Sequence, residues 1–116
     1  MSEDSPKEPT VEERLAKLRS VNPKRRLYIA DSPAGILIFG APKPSDYEMY
    51  LTLALSDEAA DKVTARKTLL RMCAADPDLA GIEALLLEYP GLPGNTEVQN
   101  ACAKSTGVVK GETAKK

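Results

Sequence analysis

The 116 residues suffice for one domain with a single modest core, since a chain of this size buries only ~65% of the surface its unfolded form exposes. Apolar residues make up 42% and charged residues 28%, and the scarce aromatics (Tyr28, Phe39, Tyr47, Tyr50 and Tyr89, with no Trp) leave Leu, Ile, Val and Ala to fill that core. A net charge of −1 provides no global pull toward nucleic acid or an anionic membrane, no stretch nears the ~18 apolar residues of a membrane span, and the lack of any His removes the commonest proton shuttle at neutral pH.

Residues 1–10 are polar and Pro-rich without an apolar segment. They read as a disordered lead and not as a secretory signal. Thr10-Val11-Glu12-Glu13 matches a capping box, and Val11, Leu15 and Leu18 share one helical face, so a helix is expected over about 11–20. Asn22-Pro23 stops it, because the residue before a proline is pushed out of the α region. Arg26 to Ala30 and Gly35 to Gly40 are aliphatic or aromatic strand candidates. Asp31-Ser32-Pro33-Ala34-Gly35 between them has turn chemistry, so the pair predicts a β-hairpin. Ile36 to Phe39 is apolar on both faces, which requires a helix against at least one of them.

After Ala41-Pro42-Lys43-Pro44, Ser45-Asp46-Tyr47-Glu48 is a second capping-box pattern, opening a helix to about Leu55 with Tyr47, Tyr50, Leu51 and Ala54 on one side. Ser56 is expected to cap a helix over about 57–75. Early acids and later bases complement its dipole, Glu58 and Lys62 are spaced for an i,i+4 pair, and Val63, Leu69, Leu70, Met72 and Cys73 form its buried side. Asp76-Pro77-Asp78 breaks the pattern. Leu79 to Glu88 is helical again, with Leu79, Ile82, Leu85, Leu86 and Tyr89 inward. Pro90-Gly91-Leu92-Pro93-Gly94 turns the chain, and Asn95 caps a last helix over about 96–106 that ends at Gly107. Residues 108–116 read as a disordered tail. The whole predicts an α+β fold, a small β-hairpin packed against a mainly helical domain of about five helices over residues 11–107.

The chemistry-bearing residues are few. Cys73 and Cys102 lack metal-ligand spacing and read as buried free thiols in a reducing compartment. The carboxylates fall in first helical turns or beside bases, where capping accounts for them. Gly91 to Gly94 neither follows a strand nor ends in Lys-Ser/Thr, so it is no phosphate loop. No catalytic residue, cofactor or metal site is expected. Six bases and no acid lie between Arg14 and Arg26, and five acids and no base between Asp76 and Glu97. Such blocks are solvated faces or orienting surfaces. Lys24-Arg25-Arg26 has only Tyr28 near it for stacking, so a nucleic-acid partner is not expected.

Apolar surface remains. Leu85, Leu86 and Leu87 are consecutive, and a small domain cannot bury all three easily. Leu87 is therefore placed in an exposed patch with Tyr89 and Leu92, a second core layer being an equal reading. The Tyr47/Tyr50/Leu51 stripe is open to the same two readings, core or interface.

Together, the short first helix, the apolar hairpin, Pro44-Ser-Asp-Tyr-Glu-Met-Tyr50 opening a helix, and the segment Leu85-Leu-Leu-Glu-Tyr-Pro-Gly-Leu-Pro93 resemble small proteins of tailed bacteriophages that look like tail assembly chaperones. The resemblance spans about residues 11–107. The chain departs from the pattern over Leu69 to Pro77, where the group has a more polar stretch. The resemblance implies a non-enzymatic protein of the bacterial host cytoplasm, or of the virion, that shields apolar helices of a tape-measure protein. A tail tube protein is the other candidate partner, and a structural virion component or another protein-binding adaptor is the alternative reading. The matching motif residues together with the apolar patch put forward Tyr47, Tyr50, Leu87, Tyr89 and Leu92 as partner-contact residues, and no cofactor or membrane is expected.

Overall fold

The computed structural model describes residues 9–108 and residue 110. The expected disordered lead and tail fall mostly on residues outside that set. The chain runs α1 (Val11–Val21), β1 (Leu27–Ser32), β2 (Gly35–Gly40), α2 (Pro44–Ala54), α3 (Ala59–Cys73), β3 (Ala74–Asp76), α4 (Leu79–Glu88), a 3-10 turn (Leu92–Gly94) and α5 (Thr96–Thr106). It is an α+β fold in which five helices surround a small antiparallel sheet of order β1-β2-β3.

The capping box forms at α1: the Thr10 hydroxyl accepts from Glu13 N, and the Glu13 carboxylate accepts from Thr10 N. The hairpin turn is tight. Ser32 pairs with Gly35, whose φ of 99° suits only glycine, and the Ser32 hydroxyl accepts from Ala34 N and donates to the Gly35 carbonyl. Asn95 Oδ1 accepts from Val98 N at the start of α5, and Gly107 ends that helix at φ 86°.

Period-2 alternation sends the hairpin's side chains to two different layers. Tyr28, Ala30, Leu37 and Phe39 face the main core with Leu70, Cys73, Ile82, Leu92, Val98, Ala101 and Cys102. Leu27 and Ile38 face the other way and meet Leu15 of α1, with Val11 and Leu18 beside it. The sheet therefore has helices on both sides, which is why Ile36 to Phe39 reads as a continuous apolar run.

Four expectations about element ends, caps and cover need correction here. The helix expected to reach residue 75 ends at Cys73, because Ala74–Asp76 pairs with β2 as a third strand (Phe39 opposite Ala74, Ile38 opposite Asp76, with a bulge between). Ala-Ala-Asp has little strand propensity, so pairing and not composition makes this strand. Ser45 does not cap α2: Lys43 holds that position without a side-chain bond, and Pro44 occupies the first turn, where its missing N–H costs nothing. Ser56 lies two residues before the N-cap of α3, which is Glu58. Its hydroxyl accepts from Glu58 N and donates to Asp61. Leu79 is exposed, since as the first residue of α4 it lies beyond the cover of the core.

Charged side chains tie the layers. Arg14 bonds Asp76 of β3, Arg71 of α3 pairs with Glu83 of α4, and Arg26 Nη2 donates to the Ser105 carbonyl at the end of α5, where a cation complements the helix dipole. The basic block before β1 thus meets part of the acidic block directly at Arg14–Asp76.

Candidate docking face on helices α2 and α3

α2 has the sequence Pro-Ser-Asp-Tyr-Glu-Met-Tyr-Leu-Thr-Leu-Ala, and none of its residues is buried. Tyr47, Tyr50, Leu51 and Ala54 fall at helical spacing on one side and remain half-exposed. Met49, on the opposite side, and Leu55, at the C-cap, are 68% and 78% exposed. The helix packs chiefly on α3. The Tyr47 and Tyr50 rings lie 5.7 Å apart and tilted by 32°, within the range of a favourable aromatic pair. Partial burial, and then the neighbouring Tyr47, push the Tyr50 phenol above its ordinary value.

α3 explains why this region is open. Val63, expected in the buried side, is 59% exposed. It sits seven residues before the buried Leu70 and so on the same side of the helix, two turns nearer the N-terminus. It lies at the border of the buried side of α3, which Ala65, Leu70 and Cys73 mark. Two pockets follow that stretch of α3. One, of about 330 Å³, lies between Tyr50, Ala54, Leu69 and Pro93. The other, of about 360 Å³, lies against Val63, Lys67, Pro90 and Gly94. Lys62, Arg66 and Pro93 line both, so the two lie side by side along α3, and the pair is called the groove below. The expected Glu58–Lys62 ion pair does not form; among the described residues the ion pairs are Arg14–Asp76 and Arg71–Glu83.

The five residues put forward from sequence separate in space. Tyr47 and Tyr50 stand on α2, and Tyr50 lines the groove. Leu87 is 87% exposed near the end of α4. Tyr89 is half-buried against the main core. Leu92 is a correction: it is 2% exposed and part of the main core. The chain reverses after Pro90-Gly91, and the 3-10 turn carries Leu92 inward, so Leu87, Tyr89 and Leu92 form no common exposed patch. Sequence reasoning missed Met49, Leu55, Val63 and the bases of α3. The available signal was α2 itself, whose apolar residues go round more of the helix than one packing partner can cover.

Cys73 and Cys102 are fully buried free thiols. Hydrogen bonding to Cys73, and then burial, hold the Cys102 thiol well above its ordinary range, opposite to what a reactive thiolate needs. Among the described residues no group of three or more His, Cys, Asp or Glu side chains gathers as a metal site, and no helix is long and apolar enough to cross a membrane. In the Lys24-Arg25-Arg26 run, Arg25 Nε donates to the Ala41 carbonyl and Arg26 to Ser105, so two of its three charges serve as internal clasps. No family model, curated protein or solved structure matches the chain.

Proposed function

We propose that the protein is a non-enzymatic tail assembly chaperone of a tailed bacteriophage, acting in the host cytoplasm, which binds and shields apolar helices of a tape-measure protein through the α2–α3 face. The observation that supports this most is α2: an 11-residue helix rich in Tyr, Met and Leu with no buried residue. Most helical stability in proteins comes from burying an apolar face, and a partner helix laid beside α2 would complete that burial. The open end of α3 at Val63 supports the same reading. The phage assignment is supported by the resemblance over Pro44–Tyr50 and Leu85–Pro93.

The test is capture of the tagged protein from cells expressing its own genomic neighbourhood, with partners identified by mass spectrometry. Capture of a long helix-rich tape-measure chain is expected, with this protein absent from purified particles. Met49→Gln with Leu55→Gln, which leave charge unchanged at exposed positions, should abolish capture and preserve the melting temperature. Retention in particles together with a tube or capsid protein would make it a structural component instead. Recovery of nucleic acid alone would overturn both roles.

A further inference from the structure

The groove has a charge character that its apolar floor does not require. Lys62, Arg66 and Lys67 stand along it, all exposed, and no Asp or Glu lines either pocket. The chain as a whole carries 17 acids against 16 bases, so a base-only lining is a local segregation and not a reflection of composition. Lys62 and Arg66 are spaced i,i+4 and form one short row, with Lys67 beside Arg66 and one turn on from the apolar Val63. Among the described residues none of the three bases is held in an ion pair. The other bases flanking the core are engaged: Arg14, Arg25, Arg26 and Arg71 each bond a named group of the fold. The three α3 bases stand in solvent on the walls of two apolar-floored pockets, which is where an acidic partner could meet them.

We infer that this groove takes an acidic amphipathic helix, whose apolar side chains lie on the Tyr50, Leu69 and Pro93 floor while Asp or Glu on its flank faces Lys62, Arg66 and Lys67. The inference rests on the proposal above that the α2–α3 face binds a helix, and adds the chemistry of the partner. The stretch from Lys62 to Leu70 advances ~12 Å, which matches about two turns of a bound helix and apolar side chains at i, i+3 or i+4, and i+7. The pairs would sit at the rim, in water. There, charge complementarity selects among partners and raises the association rate more than it adds affinity. A helix with basic flanks would place like charges together and be rejected.

The experiment uses two labelled synthetic peptides of roughly 18 residues, long enough for partial helicity. They share one apolar face of Leu at i, i+3, i+4 and i+7 and differ only in Glu or Lys on the flanks. Binding to the full chain is read by fluorescence anisotropy. At low salt the Glu peptide should bind about tenfold more tightly than the Lys peptide. The gap should shrink as the screening length falls from ~30 Å at 0.01 M to ~8 Å at 0.15 M salt. Lys62→Glu, Arg66→Glu and Lys67→Glu together should invert the order, and the three corresponding Gln substitutions should equalise it, with melting temperatures held as the control for folding. Equal binding of both peptides to the wild type would overturn the acidic-partner inference and leave helix binding standing. Binding of neither would overturn both. A single-stranded oligonucleotide that binds more tightly than the Glu peptide, and is lost in the Glu-substituted variant, would reassign the row to nucleic acid and overturn the inference.

Discussion

Arg14 reaches across 62 residues of sequence to hold Asp76 twice, its Nε donating to the carboxylate at 2.7 Å and its Nη2 to the backbone carbonyl at 3.0 Å. The pair fastens α1 to the short strand β3 and occupies a carbonyl on the sheet's edge. The Arg14 side chain is 18% exposed and that of Asp76 37%, so the contact is only partly screened. Arg14→Ala should cost about 1–2 kcal/mol in urea unfolding, and Arg14→Lys should recover only part, because an ammonium cannot span both acceptors in the fixed geometry of a guanidinium. A double-mutant cycle with Asp76→Ala that returns no coupling would show the pair to be idle.

The two leucines that flank Pro90 should behave oppositely. Leu92→Ala removes a side chain from the main core and is expected to cost about 2–5 kcal/mol. Leu87→Ala, at a position 87% exposed, should stay within about 0.5 kcal/mol of the wild type. Chemical denaturation of both variants checks this directly. Similar losses in the two would contradict the burial described for the turn.

Glycine-to-alanine exchange should be harmful at one position where helix propensity says otherwise. Gly81 lies in the first turns of α4, and a Cβ there would stand 2.4 Å from Pro77 Cβ, on a ring that cannot swing aside. Gly81→Ala should therefore destabilise by about 1–3 kcal/mol despite the ~1 kcal/mol that alanine gains over glycine within a helix. At Gly40 the obstructing atoms belong to the Arg25 side chain, which can move away. Gly40→Ala should cost no more than the Arg25–Ala41 hydrogen bond, about 0.5–1.5 kcal/mol. The comparison of the two melting temperatures is the measurement.

The Cys102 thiol gives a pH dependence of definite sign. Its folded value is raised above the ordinary 9.0 by hydrogen bonding to Cys73 and by burial. The unfolded chain therefore releases this proton first, and stability falls with pH wherever the unfolded state holds fewer protons. The contribution is complete below the ordinary thiol value and is lost as pH rises through the folded one. The stability gap between wild type and Cys102→Ala should therefore narrow as pH rises above the ordinary thiol value of 9.0. A gap constant over that range would remove the thiol from the pH response. In the folded protein both thiols should also resist a thiol-specific reagent until denaturant is added.

Local signals in the chain determined a large part of this protein. Thr10 with Glu13, Asn95 with Val98, and Gly107 set the ends of α1 and α5, because capping bonds and left-handed glycines act between residues a few positions apart. Aliphatic and aromatic runs on either side of the Asp31–Gly35 turn residues set the hairpin, and the apolar run in β2 already required a covering layer. Tertiary structure alone decided which apolar residues are covered. Leu92, placed in an exposed patch or a second core layer, went in, and Val63, expected on the buried side of α3, stayed out. It alone made Ala74–Asp76 a strand, by pairing it with residues more than 30 positions away. It alone set Lys62, Arg66 and Lys67 against Pro90, Pro93 and Gly94, which the chain separates by more than 20 residues. Burial, strand pairing and the sign of a groove are relations between distant segments, and their energies arise only when those segments meet.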